Sequence, residues 1–210
     1  MTLWLICATE YEAKSIINYY KLRQITWLKN IKVYNNKNIV LVISWIGKIM
    51  ATIWISYLTQ NFDCKYIINI WVVWACKIKW KIGDILLVDQ TIQYDVEIPF
   101  RNKYTNVIYN PLKLKYLEIE KYEEHIICAT GDKVMNTSKK ERLWNKLDID
   151  IVDMELFAIG KYMDEIGILD RLIAIKWVSD DLIWDYKLKN SENTMKKLCI
   201  KLDKVYKTIK

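Results

Sequence analysis

Short apolar runs alternate with amphipathic helical stretches along the whole chain, and this alternation narrows the fold further than any single motif does. Residues 1–8 read as a buried strand, after which Thr9-Glu10-Tyr11-Glu12 opens a helix running to about residue 21. Residues 31–35 and 38–44 read as a hairpin, and a helix follows over 47–60 with Ile49, Ile53, Ile55 and Leu58 as its expected buried positions. Further strands are expected at 65–70, 84–89, 91–95, 125–130, 149–152 and 172–176. Ser138 starts a capping box for a short helix, Gly167 stops a helix over 153–166, and a last helix over 192–206 ends in a basic turn, as its dipole favours. Residues 96–112 hold both prolines and form the longest expected loop. The pattern predicts an α/β chain, a three-layer α/β/α arrangement around a central mixed sheet, with residues 1–210 as one domain.

Composition removes several function classes. A mean hydropathy of −0.03 fits a globular chain, and 210 residues can bury a substantial core. The longest apolar run, 66–76, is too short for a bilayer, which takes about 20 residues. The first residues lack the basic start of a signal peptide. No membrane partner is expected. The net charge of +7 comes from dispersed lysines with only four arginines, not from a basic stripe with stacking aromatics, so no nucleic acid is expected either. Five scattered cysteines without a C-x-x-C pair argue against zinc and a disulfide framework, and fit a reducing cytoplasm. His125, the only histidine, begins an apolar strand and reads as structural.

One anomaly stands out. The chain has 10 Trp and only 5 Gly, and together they come to about the usual glycine share, roughly 7%. In residues 66–95, read as strand, loop and strand, Trp71, Trp74 and Trp80 punctuate the loop where a tight turn needs glycine. A buried indole also needs a partner for its N–H. A UGA codon that the source organism reads as glycine, rendered as tryptophan in this sequence, accounts for the pattern; a tryptophan-rich protein is the alternative.

Three acids fall at the C-terminal ends of expected strands, where open α/β sheets bind ligands. They are Glu12, Glu155 and Asp180, the last behind Ser179. Each has a structural alternative: Thr9-x-x-Glu12 is a capping box, Glu155 can complement a helix dipole, and Ser179-Asp180-Asp181 can be a turn or an N-cap. Spacing alone leaves these alternatives open.

In collinear order, the chain resembles the 5′-methylthioadenosine/S-adenosylhomocysteine nucleosidases of the purine nucleoside phosphorylase/hydrolase superfamily. MTLWLICATEYEA resembles that family's opening strand and acidic helix start. SWIGK (44–48) is similar to S-G-I-G-K, and INIWVVWA (68–75) with KIGDILLVDQTIQYDV (81–96) to the N-T-G-S-A-G-G loop and the V-G-D-I-V-V strand that follows it. ATGDKVM (129–135) resembles S-G-D-x-F-I, VDMELFAI (152–159) resembles V-E-M-E-x-x-A-I, and KWVSDD (176–181) resembles R-A-I-S-D. On this alignment Trp4, Trp45, Trp71 and Trp74 stand where the family uses glycine, and two indoles are expected to crowd the nucleoside pocket.

The resemblance implies cleavage of the N-glycosidic bond between adenine and a 5′-thioribose by water, with no metal or organic cofactor. Glu12 would activate the water, Glu155 would hold the ribose hydroxyls, and Met154 would pack on the sugar. Asp180, positioned by Ser179, would protonate adenine N7. Backbone near Met135 would read the adenine edge, with Val134 against the ring. Val72 replaces the family's loop serine and Val134 its stacking phenylalanine. The resemblance also implies a homodimer. A phosphorylase on the same fold would need an anion site, and Arg23, Arg101, Arg142 and Arg171 sit at no convincing phosphate position; a non-catalytic nucleoside-binding protein is the remaining alternative.

Overall fold

Apolar side chains on both faces of a strand require a covering layer on each side, and the central strands here are apolar on both. The computed structural model describes residues 2–25, 32–96, 111–115, 117, 124–133, 148–180 and 192–210, with backbone only at 180, 192 and 193. In β1 (Leu3–Cys7), Trp4 and Ile6 face one core while Leu3, Leu5 and Cys7 face another. Helices α2 (Lys48–Asn61) and α3 (Leu156–Glu165) cover the first face through Ala51, Ile55, Leu58, Ile159 and Met163. Helices α1 (Glu10–Tyr19) and α4 (Glu192–Ile209) cover the second through Ala13, Ile16, Leu198, Leu202 and Val205. The result is the expected three-layer α/β/α arrangement around a mixed sheet.

The remaining strands are β2 (Arg23–Ile25), β3 (Val33–Asn35), β4 (Ile39–Ile43), β5 (Ile67–Ala75), β6 (Ile85–Val88), β7 (Gln90–Gln93), β8 (Leu112–Lys113), β9 (Ile127–Thr130), β10 (Ile151–Asp153) and β11 (Leu172–Asp180). They join β1 in the order β2-β3-β4-β1-β5-β10-β9-β7-β8, with β11 paired to β5 and β6. Strands β4, β1, β5 and β11 run parallel. Strand β10 runs antiparallel to β5 and parallel to β9.

Strand β5 positions the site. One of its edges pairs with β11 along nearly its whole length. The other edge pairs with β1 as far as Asn69 and with β10 only from Trp74. Between those points β1 and β10 part and leave a crevice, which is where α/β sheets accept ligands.

Three expectations change. Residues 71–75, read as loop, continue β5, because the apolar run WVVWA pairs with β11 and has a core to face. On α2, Ile49 and Ile53 are exposed, at 74% and 52%, while Ala51, Trp54, Ile55 and Leu58 are buried; the helix is apolar on both faces, so periodicity could not choose between them. Asp153 is not the first residue of a helix but the last of β10, and α3 starts at Leu156. The Ser138 capping box and most of the 96–112 loop lie outside the described residues.

Candidate active site

The capping box read from Thr9-x-x-Glu12 is formed. The Thr9 N–H and hydroxyl each donate to Glu12 Oε2 at 2.8 Å, and the Glu12 N–H donates back to Thr9 Oγ1 at 3.3 Å. Capping uses only one of the two carboxylate oxygens. Oε1 accepts the Val72 N–H at 3.2 Å, on the stretch of β5 between the segments paired with β1 and β10. The side chain is buried, and that burial raises its pKa above the usual carboxylate range despite the bonds from Thr9 and Val72.

Glu155 lies at the N-terminus of α3, but Asp153 does the capping there. Asp153 Oδ1 and Oδ2 accept the Glu155 and Leu156 N–H groups at 3.3 and 3.0 Å. Glu155 instead reaches out of its own helix: Oε1 accepts the Gly47 N–H at 2.8 Å, and Oε2 accepts its neighbour Met154's N–H at 3.1 Å. Gly47 has φ +99°, a conformation that favours glycine. Burial, then the charge of Asp153, pushes the Glu155 pKa well above the usual range.

Beneath these acids sits an ion pair with no solvent exposure on either side. Lys176 Nζ donates to Asp153 Oδ2 at 2.8 Å and to the Asn69 amide oxygen. Thr130 Oγ1 donates to Asp153 Oδ1 at 2.6 Å. The Trp71 ring lies over Lys176, 5.1 Å from Nζ to the centroid. Sequence reasoning assigned no role to Asp153, Lys176 or Asn69. The available signal was a lysine in the middle of the apolar run IAIKWV, where an unpaired charge could not be buried.

Glu12, Val72, Met154 and Glu155 line one cavity of about 660 Å³, together with Asp153, Tyr11 and Ile46. That volume lies within the range of small-molecule sites, roughly 300–1,000 Å³. Trp71 and Trp74 line it as well and still leave this room, so the expected crowding is not what the geometry gives. Among the described residues, no Lys or Arg lines the cavity. Trp45 takes φ +68°, the left-handed region that a bulky side chain rarely enters. The Trp54 Nε1 is buried without a hydrogen-bond partner.

The other expected site residues are placed as follows. Ser179 is buried where the β5–β11 register slips between Val178 and Asp180, and its hydroxyl donates to the Val73 carbonyl at 3.4 Å. Asp180 ends β11 opposite Trp74. Val134 and Met135 lie outside the described residues. His125 lies just ahead of β9, and its exposed ring bonds through Nδ1 to Asp89 Oδ2 at 2.8 Å.

Known proteins resemble this chain in sequence and in fold. The family model of the phosphorylase superfamily matches residues 2–208. A 5′-methylthioadenosine/S-adenosylhomocysteine nucleosidase of Marinomonas sp. is 31% identical over 163 residues, 70% of each chain. The enzyme of the same description from Buchnera aphidicola is 28% identical over 208 residues, 86% of this chain and 84% of its own. The crystal structure of the Campylobacter jejuni 5′-methylthioadenosine/S-adenosylhomocysteine nucleosidase shares the fold, with a TM-score of 0.80 and 21% identity over 100% of this chain and 98% of that one.

Proposed function

The chain belongs to the phosphorylase superfamily, and on that premise we propose that it hydrolyses the N-glycosidic bond of 5′-methylthioadenosine or S-adenosylhomocysteine and releases adenine. The observation that carries this reading is the Glu12 carboxylate. It is anchored on Thr9 and on the Val72 N–H, and it lines one cavity with Glu155 and Met154.

Glu12 orients a water and takes its proton as the water's oxygen attacks the anomeric carbon. A carboxylate of raised pKa suits that task, because the ideal base lies nearer the working pH. Glu155 accepts hydrogen bonds from the ribose 2′- and 3′-hydroxyls. Charge develops on the ring as the C–N bond breaks, as in other glycoside hydrolysis. Met154 packs on the sugar. Asp180, positioned by Ser179, gives a proton to adenine N7, so that adenine departs neutral. Val134 and Met135 contact the adenine.

Water is preferred to phosphate as nucleophile because cationic donors strengthen a phosphate subsite, and none lines the cavity among the described residues. Arg171 donates instead to the Cys64 carbonyl at 3.3 Å. A second copy of the chain fits the exposed apolar stripe Trp45, Ile46, Ile49 and Ile53, which continues from the cavity rim at Ile46. A reducing cytoplasm suits the five buried cysteines. No helix among the described residues is long and apolar enough to cross a membrane.

The substitution Glu12→Gln tests the reading. A nucleosidase loses turnover and keeps affinity for adenosine; a nucleoside-binding protein has no turnover to lose.

A further inference from the structure

The first turn of α2 lacks what a helix start ordinarily carries. It has no acid in its first turn and no side-chain cap from its own N-cap residue, Gly47. Its leading N–H groups are taken by carboxylates from distant segments. Gly47 N–H goes to Glu155, as described, and Lys48 N–H goes to Asp132 Oδ1 at 3.2 Å. The helix dipole favours both. The acids of this region then have to be held together against their own repulsion.

Lys48 does this. Its Nζ lies 2.8 and 2.9 Å from the two oxygens of Asp95, and 3.4 Å from Asp132 Oδ2. The Asp132 N–H donates to Asp95 Oδ2 at 2.8 Å, and Gln93 Nε2 donates to Oδ1 at 3.1 Å. The side chains of Lys48 and Asp95 are only 17% and 10% exposed, so solvent screens this pair weakly. Burial works against the Asp95 charge, but the bonds from Lys48, Asp132 and Gln93 prevail and hold its carboxyl below the usual range. Two loops, those following β7 and β9, therefore meet on the ammonium group of the first residue of α2. The β9 loop is joined to β10 as well, through the Gly131 N–H on the Asp153 carbonyl at 3.1 Å.

We propose that Lys48 is a positioning residue that fixes the Gly47 N–H on Glu155, and with it the register between the ribose-holding carboxylate and the segment beginning at Asp132. The proposal rests on the nucleosidase reading for its kinetic consequence and on geometry alone for its structural one. Lys48 is not among the residues that line the cavity. Removing its charge leaves Asp95 and Asp132 facing each other uncompensated, and the α2 N-terminus shifts away from Glu155.

The test compares Lys48→Met and Lys48→Arg with the wild type in two readouts. The first is adenine release from 5′-methylthioadenosine and its 3′-deoxy analogue. Lys48→Met is expected to raise KM for the parent about tenfold, as one charge-assisted contact weakens, with a smaller change in kcat. Its discrimination against the 3′-deoxy analogue falls, and Lys48→Arg restores most of both. The second readout is amide hydrogen exchange at Gly47, which needs no activity. In Lys48→Met it rises at Gly47 and at position 48 while the amides of β5 and β11 keep their protection. Unchanged Gly47 exchange, or an unchanged KM and discrimination in an active enzyme, overturns the proposal. A wild type that releases no adenine overturns the nucleosidase reading instead, and the Gly47 exchange still decides the role of Lys48.

Discussion

Replacing Lys176 by methionine is the perturbation whose size follows most directly from the structure. Methionine keeps most of the lysine stem and removes the ammonium. Both members of the Lys176–Asp153 pair have no solvent exposure, so water cannot replace the lost cation. Removing one partner of such a pair costs about 3–5 kcal/mol, because the other charge stays buried. Asp153 keeps three donors, from Thr130 Oγ1, Glu155 N–H and Leu156 N–H, which places the cost at the low end, about 3 kcal/mol. For a chain of this length each kcal/mol moves the melting temperature by about 2–4 °C, so a fall of about 6–12 °C is expected. Urea unfolding followed by far-ultraviolet dichroism and by tryptophan fluorescence measures the loss and checks that the transition is two-state. The double variant Lys176→Met/Asp153→Asn removes both charges, and it should recover a large part of the loss. A loss below about 1 kcal/mol, or a double variant no more stable than the single one, would refute the reasoning.

The other predictions concern the acids and the tryptophans. Because burial raises the Glu12 pKa, and Glu12 must be ionised to accept a proton, kcat/KM should fall on the acid side through a pKa above the usual carboxylate range; a rate flat down to that range contradicts the assignment. Asp180→Asn should lower turnover by about 10²–10⁴-fold, the usual worth of a general acid, measured by adenine release. At position 45 the left-handed backbone costs an L-residue about 1–2 kcal/mol, so Trp45→Gly should be more stable than Trp45→Ala, reversing the usual order; thermal melts of the two variants decide it. In protein purified from its source organism, peptide mass spectrometry should find glycine at 45, 71 and 74, and intact tryptophan there ends the codon account.

What could be read from the sequence was local, and what could not was a product of sheet order. The Thr9–Glu12 capping box is contained in four residues and is visible as such. That the second oxygen of Glu12 meets Val72 depends on β1 and β10 parting along the edge of β5, which no window of sequence shows. Residues 71–75 were expected to be loop because tryptophan was read as a stand-in for glycine, whereas pairing with β11 keeps them extended. Ile49 and Ile53 fit the helical period as well as Ala51 and Ile55 do, and only the position of α3 selects the buried side. Lys176 stands out in its apolar run, but its partner Asp153 is 23 residues away and nothing local in the sequence joins the two. Lys48 is similar: its partners Asp95 and Asp132 come from two other loops.

The most direct measurement of the central claim is adenine release from 5′-methylthioadenosine with and without phosphate. A hydrolase releases adenine at the same rate in both, with Glu12→Gln abolishing it. Release that requires phosphate would contradict the assignment of water as the nucleophile and make the protein a phosphorylase, and no release in either condition would contradict the nucleosidase reading itself.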